Sequence, residues 1–202
     1  MKNRVVKGKR IERGELKDYS GEFRPGLKME DFSKEALVKL WQLGAKLYIG
    51  LDGLYYSLNR EKFGEDKARE LAVEVWLRKG FAADQEVRRG REAMNIWGDD
   101  VASLFKFFQI DPGCAGVMPD VKYELKGKNH GIFTVKRCLS LEYFEKHGET
   151  SLQKHACEDL DILGFQRAAE LFNPKIKATA VKLPPRKNRE EIACQWEFKI
   201  EE

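Results

Sequence analysis

The feature that most constrains this chain is a change of hydrophobic period near residue 116. Before it, apolar residues recur at three- and four-residue steps, as in Ala36, Leu37, Leu40, Trp41, Gly44, Leu47, Tyr48, Leu51 and Leu54. After Pro119 they alternate with charged ones, as Val121, Tyr123 and Leu125 do with Lys122, Glu124 and Lys126. Steps of three and four line one face of a helix, and steps of two line one face of a strand. The chain is therefore helical first and sheet-forming later.

Punctuation refines this reading. Ser33 is placed to cap a long, mostly buried helix that Phe63-Gly64 closes. A second helix runs from Glu65 to about Arg78, before Lys79-Gly80, and a third stretch covers roughly Asp84 to Phe108, with Gly98 as a break. Asp111 to Gly116 is a connector. A hairpin follows, turning at Gly127 to Gly131, then a short helix from Cys138 to Lys146, ended by His147-Gly148. A longer helix from Ser151 to Phe172 stops at Asn173-Pro174, and strands Ile176–Leu183 and Ala193–Ile200 complete the pattern. The expected fold class is α+β, with a helical amino-terminal half packed on a four-stranded antiparallel sheet of order β-β-α-α-β-β. The expected parts are a basic arm over 1–30, mobile or draped on the body, a helical part over 31–110, and an α+β part over 111–202.

Charge separates the arm from the rest. The net +4 comes from 37 Lys and Arg against 33 Asp and Glu, and residues 1–28 hold nine of the former and four of the latter. The remainder carries 28 basic and 29 acidic residues. Phosphate binding needs clustered Lys and Arg, so this balance weighs against a nucleic-acid surface on the body and leaves only the arm for that role. No apolar run of signal or membrane-span length occurs, since Lys39, Lys46 and Asp52 interrupt the stretch from Leu37 to Leu58. The expectation is a cytoplasmic protein without a membrane partner, in which Cys114, Cys138, Cys157 and Cys194 are thiols or ligands and not disulfides.

Those cysteines are where chemistry is sought. Cys138 stands where a strand gives way to a helix, Cys157 in the first turns of the long helix, and Cys194 at the start of the last strand. No pair has the spacing of a zinc knuckle, so a joint site must be assembled by the fold. Three thiolates suit zinc or an iron–sulfur cluster, because soft sulfur selects such metals. The plainer alternative is that each cysteine is a small buried hydrophobe. A further alternative makes Cys157 a nucleophile activated by the helix dipole, with His155 or His147 nearby and Asp161 one turn on, although Glu158 and Asp159 would oppose ionisation. Cys114 lies in a loop that either folds over a site or joins the two halves. Tyr48, Tyr55, Tyr56, Trp76, Trp97 and the aromatic residues from Phe105 to Phe108 either line a small-molecule cavity or form core. Standard nucleotide and hydrolase motifs are missing, including the Gly-x-Gly-x-x-Gly fingerprint and the Gly-x-Ser-x-Gly elbow.

The segments Leu51-Asp-Gly-Leu-Tyr-Tyr-Ser-Leu58, Lys62-Phe-Gly64 and Val75-Trp76 resemble an uncharacterised bacterial and archaeal family of similar length. So do Arg137-Cys138, Cys157, Phe172-Asn-Pro-Lys-Ile-Lys177, Leu183-Pro-Pro185 and Ala193-Cys-Gln-Trp-Glu-Phe198, which extends the likeness over about residues 48–200. The layout of Cys138, helix, Cys157, helix with Gly164-Phe165, Asn-Pro, strand and Cys194 is more distantly similar to L-2-amino-thiazoline-4-carboxylate hydrolases and to the four-vinyl-reductase domain, a small-molecule-binding module. The resemblance implies that Cys138, Cys157 and Cys194 form one metal or thiol site. The leading expectation is then a small-molecule enzyme, a hydrolase of a C–N or C–S bond, with Cys157, His155 and Asp161 in the catalytic roles. The competing expectation is a non-catalytic ligand-binding or sensory domain with a structural metal. A homodimer is the expected assembly.

Overall fold

A computed structural model describes residues 15–201. By its contacts the chain divides into two units, residues 1–43 and 44–202.

In the first unit the described residues do not form a free arm. Leu16 bridges to Phe32, with the Leu16 amide on the Asp31 carbonyl at 2.9 Å and the Ser33 amide on the Leu16 carbonyl at 2.8 Å. Tyr19 packs edge-on against Phe32, and its hydroxyl accepts the Arg24 amide at 2.8 Å. Of the arm expected over 1–30, Leu16, Tyr19 and Arg24 thus make contacts within this unit, and its first fourteen residues lie outside the described ones. Ser33 caps the long helix as its sequence suggests, its Oγ accepting the Ala36 amide at 3.2 Å.

That helix, α1 (Lys34–Phe63), is followed by α2 (Glu65–Leu77), α3 (Ala82–Met94), α4 (Val101–Phe108) and a single turn, α5 (Pro112–Ala115). The third expected stretch is two helices. Asn95 ends α3 in the left-handed conformation, and Asp100 starts α4 by accepting the Ser103 amide at 2.8 Å. Strands β1 (Asp120–Gly127) and β2 (His130–Arg137) form a hairpin with a two-residue turn, Lys128-Asn129, tighter than the sequence suggests. Then come α6 (Leu139–His147), α7 (Thr150–Lys154), a π-helical turn (His155–Leu160), α8 (Asp161–Phe172), β3 (Ile176–Lys182) and β4 (Cys194–Ile200).

The sheet is antiparallel throughout, in the order β1-β2-β4-β3. Its buried face carries Phe133 and Val135 from β2 and Cys194, Trp196 and Phe198 from β4, the two-residue period made physical. Against it lie α4 and α8. Phe105 meets the Phe198 ring edge-on at 5.6 Å, Phe108 lies 5.6 Å from Phe133, and Phe165 lies 4.7 Å from Trp196. Val87 and Ile96 join the same cluster, so residues 44–110 and 111–202 share one core and the boundary expected at 110/111 does not divide the packing.

The long helix departs from its expected burial. Ala45 and Tyr56 are buried, but Leu47 and Leu54 are 63% and 69% exposed, and Leu51, Tyr55 and Leu58 are exposed as well. Helical spacing shows that a face is apolar and not what covers it. Among the described residues, no helix is long and apolar enough to cross a membrane.

Candidate functional site

Cys194 opens β4 opposite Val135 of β2, and Cys138 follows β2 three residues later as the residue capping α6. Both therefore stand at one end of the sheet. Cys157 enters from the π-helical turn that leads into α8, and Asp161 is the first residue of α8. A helix that widens to a π-turn carries an extra residue, which re-aims the side chains beside it, and such turns recur at functional sites.

Asp161 acts on the ionisation of all three thiols. Burial pushes the Cys157 thiol up strongly, and the charges of Asp161, Cys138 and Cys194 push it further. The Cys194 thiol rises to about 12 through burial, with Asp161 and Cys138 adding to the shift and the Trp196 indole opposing it by donating to Sγ at 3.3 Å. The Cys138 thiol is also raised by burial and by Asp161, while the amides of Leu141 and Ser140 at the start of α6 act in the opposite sense. Burial alone lifts the Asp161 carboxyl to about 7. All four cysteines are free thiols. The three named cysteines are neighbours electrostatically, yet among the described residues no three His, Cys, Asp or Glu side chains stand in a metal-holding arrangement. The donor chemistry suits zinc or an iron–sulfur cluster, and the thiols share a neighbourhood without converging on one point.

The nucleophile reading changes in two ways. Cys157 belongs to a continuous helical run that begins at Thr150, so it is not in a first turn where the dipole would ionise it. Cys138 holds that position instead, on α6. His155, two residues before Cys157, points elsewhere because residues two apart face opposite sides of a helix. It stacks on Tyr56 at 5.4 Å, its Nδ1 lies 3.4 Å from Asp159, and its buried Nε2 has no partner. Burial lowers its pKa, with Asp159 opposing. His147 is exposed at the end of α6, against the Tyr143 ring at 4.4 Å.

The expected aromatic cavity is also divided. Phe105, Phe107 and Phe108 are core, Tyr55 and Trp97 are exposed, and Tyr48 and Phe107 line one cavity. Cys114 is buried just after Asp111. Its thiol is raised well above the ordinary value by burial, then by Asp111, Glu86 and Asp161.

Sequence reasoning missed Arg186. Its guanidinium is almost wholly buried in the connector between β3 and β4, held by Glu145 at 2.7 and 2.8 Å and by the carbonyls of Arg189 and Glu191. The Glu145 hydrogen bonds raise its pKa, with the charge of Cys138 a minor contributor. In sequence it reads as one charge in a solvated turn, and only its contact with α6 sets it apart.

Residues 30–200 match a family of unknown function, DUF6125, and the chain belongs to that family. No curated protein and no solved structure matches the chain.

Proposed function

We propose that the chain is a cytoplasmic small-molecule enzyme, a hydrolase of a C–N or C–S bond, acting through Cys138, Cys157, Cys194 and Asp161. Zinc or an iron–sulfur cluster is the cofactor that three thiolates would hold. What supports this is one observation: at one end of the sheet three cysteines from separate elements are each raised, after burial, by the charge of one desolvated carboxyl, Asp161. Buried thiolates repel, and a cation among them would relieve that cost. Such a metal supplies Lewis acidity or an activated water.

The remaining work belongs to the protein. Asp161 takes a proton from the attacking water and returns it to the leaving nitrogen or sulfur. Trp196 holds Cys194 through its indole N–H, and Phe165 packs on the Trp196 ring. The resemblance to thiazoline-carboxylate hydrolases and four-vinyl-reductase domains points the same way. The free thiols support the cytoplasmic assignment, and the apolar stripe of α1 supports a homodimer.

A second reading, a ligand-binding or sensory domain with a structural metal, is favoured by the burial of Cys194 and the half-burial of Cys138 and Cys157, because closed structural sites exclude solvent. Anaerobic purification with metal analysis and an absorption spectrum tests the site itself. Stoichiometric zinc, or iron with sulfide, that falls in Cys138→Ser, Cys157→Ser and Cys194→Ser is the expected result. Metal-free protein with all three variants unchanged overturns it. Hydrolysis of small amides, amidines and thioesters that disappears in Asp161→Asn selects the enzyme, and metal without hydrolysis selects the binding domain.

A further inference from the structure

A second group of buried acids lies outside the cysteine site. Tyr48 of α1, Glu86 of α3 and Asp111, the residue before α5, line a cavity of about 430 Å³ whose other walls include Ala82, Phe107 and Ile110. The Tyr48 hydroxyl donates to Glu86 Oε1 at 2.7 Å. Asp111 is 5% exposed, and its Oδ2 accepts the Cys114 amide at 2.8 Å. Its Oδ1 is buried and has no hydrogen-bond partner. Among the described residues neither Glu86 nor Asp111 forms an ion pair with a basic side chain. A buried acceptor left unpaired is a standing cost, and a folded chain keeps one where something else fills it.

We propose that this cavity binds a small organic ammonium ion, a protonated amine with an apolar body, whose N–H groups meet Asp111 and Glu86. The chemistry selects this class. The cationic head pairs with Glu86 on the cavity wall and offsets the repulsion between it and the buried Asp111 behind, while the apolar walls take the hydrocarbon and the rings of Tyr48 and Phe107 suit a cation. A bare divalent ion fits poorly, because calcium or magnesium wants six or more oxygen ligands and these walls are mostly apolar. Arg89, at the exposed rim, turns its Nε to Gln85 Oε1 at 3.3 Å and leaves the acids unneutralised.

Several groups face Glu86: Tyr48 and Asp52 from α1, Asp111 and Cys114 around α5, and Arg89 on α3 itself. Burial and the Asp111 charge lift Glu86 to about 8, and burial raises Asp111 as well. The pair therefore keeps a proton at neutral pH that the ammonium ion displaces. Binding tightens as pH rises from about 6 to about 8.5 while the amine stays protonated.

The test is titration of the full chain with benzylamine and with its neutral analogue benzyl alcohol, followed by calorimetry and by amide chemical shifts. Saturable binding of benzylamine, about tenfold or more tighter than the alcohol at pH 8 and weakening toward pH 6, is the expected result. Glu86→Gln and Asp111→Asn, which keep volume and an acceptor, should each lose about tenfold in affinity. Cys157→Ser should lose none, so failure of the cysteine reading leaves this one standing. Equal binding of the alcohol, or no saturation by the amine, overturns the proposal using the unaltered protein alone.

Discussion

The Trp196 indole donates to Cys194 Sγ at 3.3 Å, along one face of a single strand. Two residues apart on β4, they point to the same side, and Trp196 is 1% exposed beneath the Phe165 ring. The contact joins the core of the sheet to the cysteine site, because the group that fills the core also holds the thiol.

Replacing Trp196 by Phe keeps an aromatic ring but removes the donor and some volume. The expected loss is about 2–3 kcal/mol in urea unfolding, from a small cavity plus an unmade hydrogen bond. The Cys194 thiol should also rise further, since the donor that lowers it is gone. Slower alkylation of that cysteine, measured by mass spectrometry in the folded protein, checks the second effect.

Glu86 should make stability depend on pH in a direction opposite to that of a salt-bridged acid. Its folded value, about 8, lies above the ordinary 4.5, so the folded state holds the proton more tightly than the unfolded one. Its stabilising contribution is complete below about 4.5 and is lost as pH rises through about 8. Glu86→Gln should match the unaltered protein at pH 5 within about 0.5 kcal/mol and exceed it by about 1–2 kcal/mol at pH 9. Denaturant melts at the two pH values check this.

If the stripe of Leu47, Leu51, Leu54 and Leu58 is a subunit contact, breaking it changes mass and not fold. Leu47→Lys with Leu54→Lys should convert a dimer to a monomer in light scattering, with the helical circular dichroism retained. A monomeric parent protein removes the homodimer from consideration. Lysine on a solvated face costs little, so a collapse of the fold would instead show that the stripe is covered from within.

Gly131 on β2 is glycine because the Phe105 ring occupies the space of its side chain. A Cβ there would press on the ring edge of Phe105 and on the Glu124 carbonyl. Gly131→Ala should cost about 1–3 kcal/mol, by moving α4 off the sheet or the ring out of its rotamer. Thermal melts of this variant, with Gly127→Ala as the open-space control, measure the difference.

The elements were legible in the sequence to the extent that they are local. Ser33, Asn173-Pro174 and the alternation in Val121 to Leu125 mark boundaries through hydrogen bonds and periods confined to a few neighbours. Cys138, Cys157, Cys194 and Asp161 could be picked out individually, since each follows a recognisable break or turn. What was not legible was the π-turn over His155–Leu160, which a pattern of three and four does not reveal.

The sequence by itself determined the α+β order, the antiparallel hairpin after Pro119 and the alternation along its strands, because period and turn chemistry act over short range. The tertiary structure decided the rest. It brought thiols separated by up to 56 positions to one sheet end. It buried Arg186 against Glu145, and it left the leucines of α1 facing outward. It also set Glu86 near enough to Asp111 for that charge to raise its carboxyl. Each depends on which surfaces meet, and burial and charge acquire their consequences only when distant residues share the same low-dielectric space.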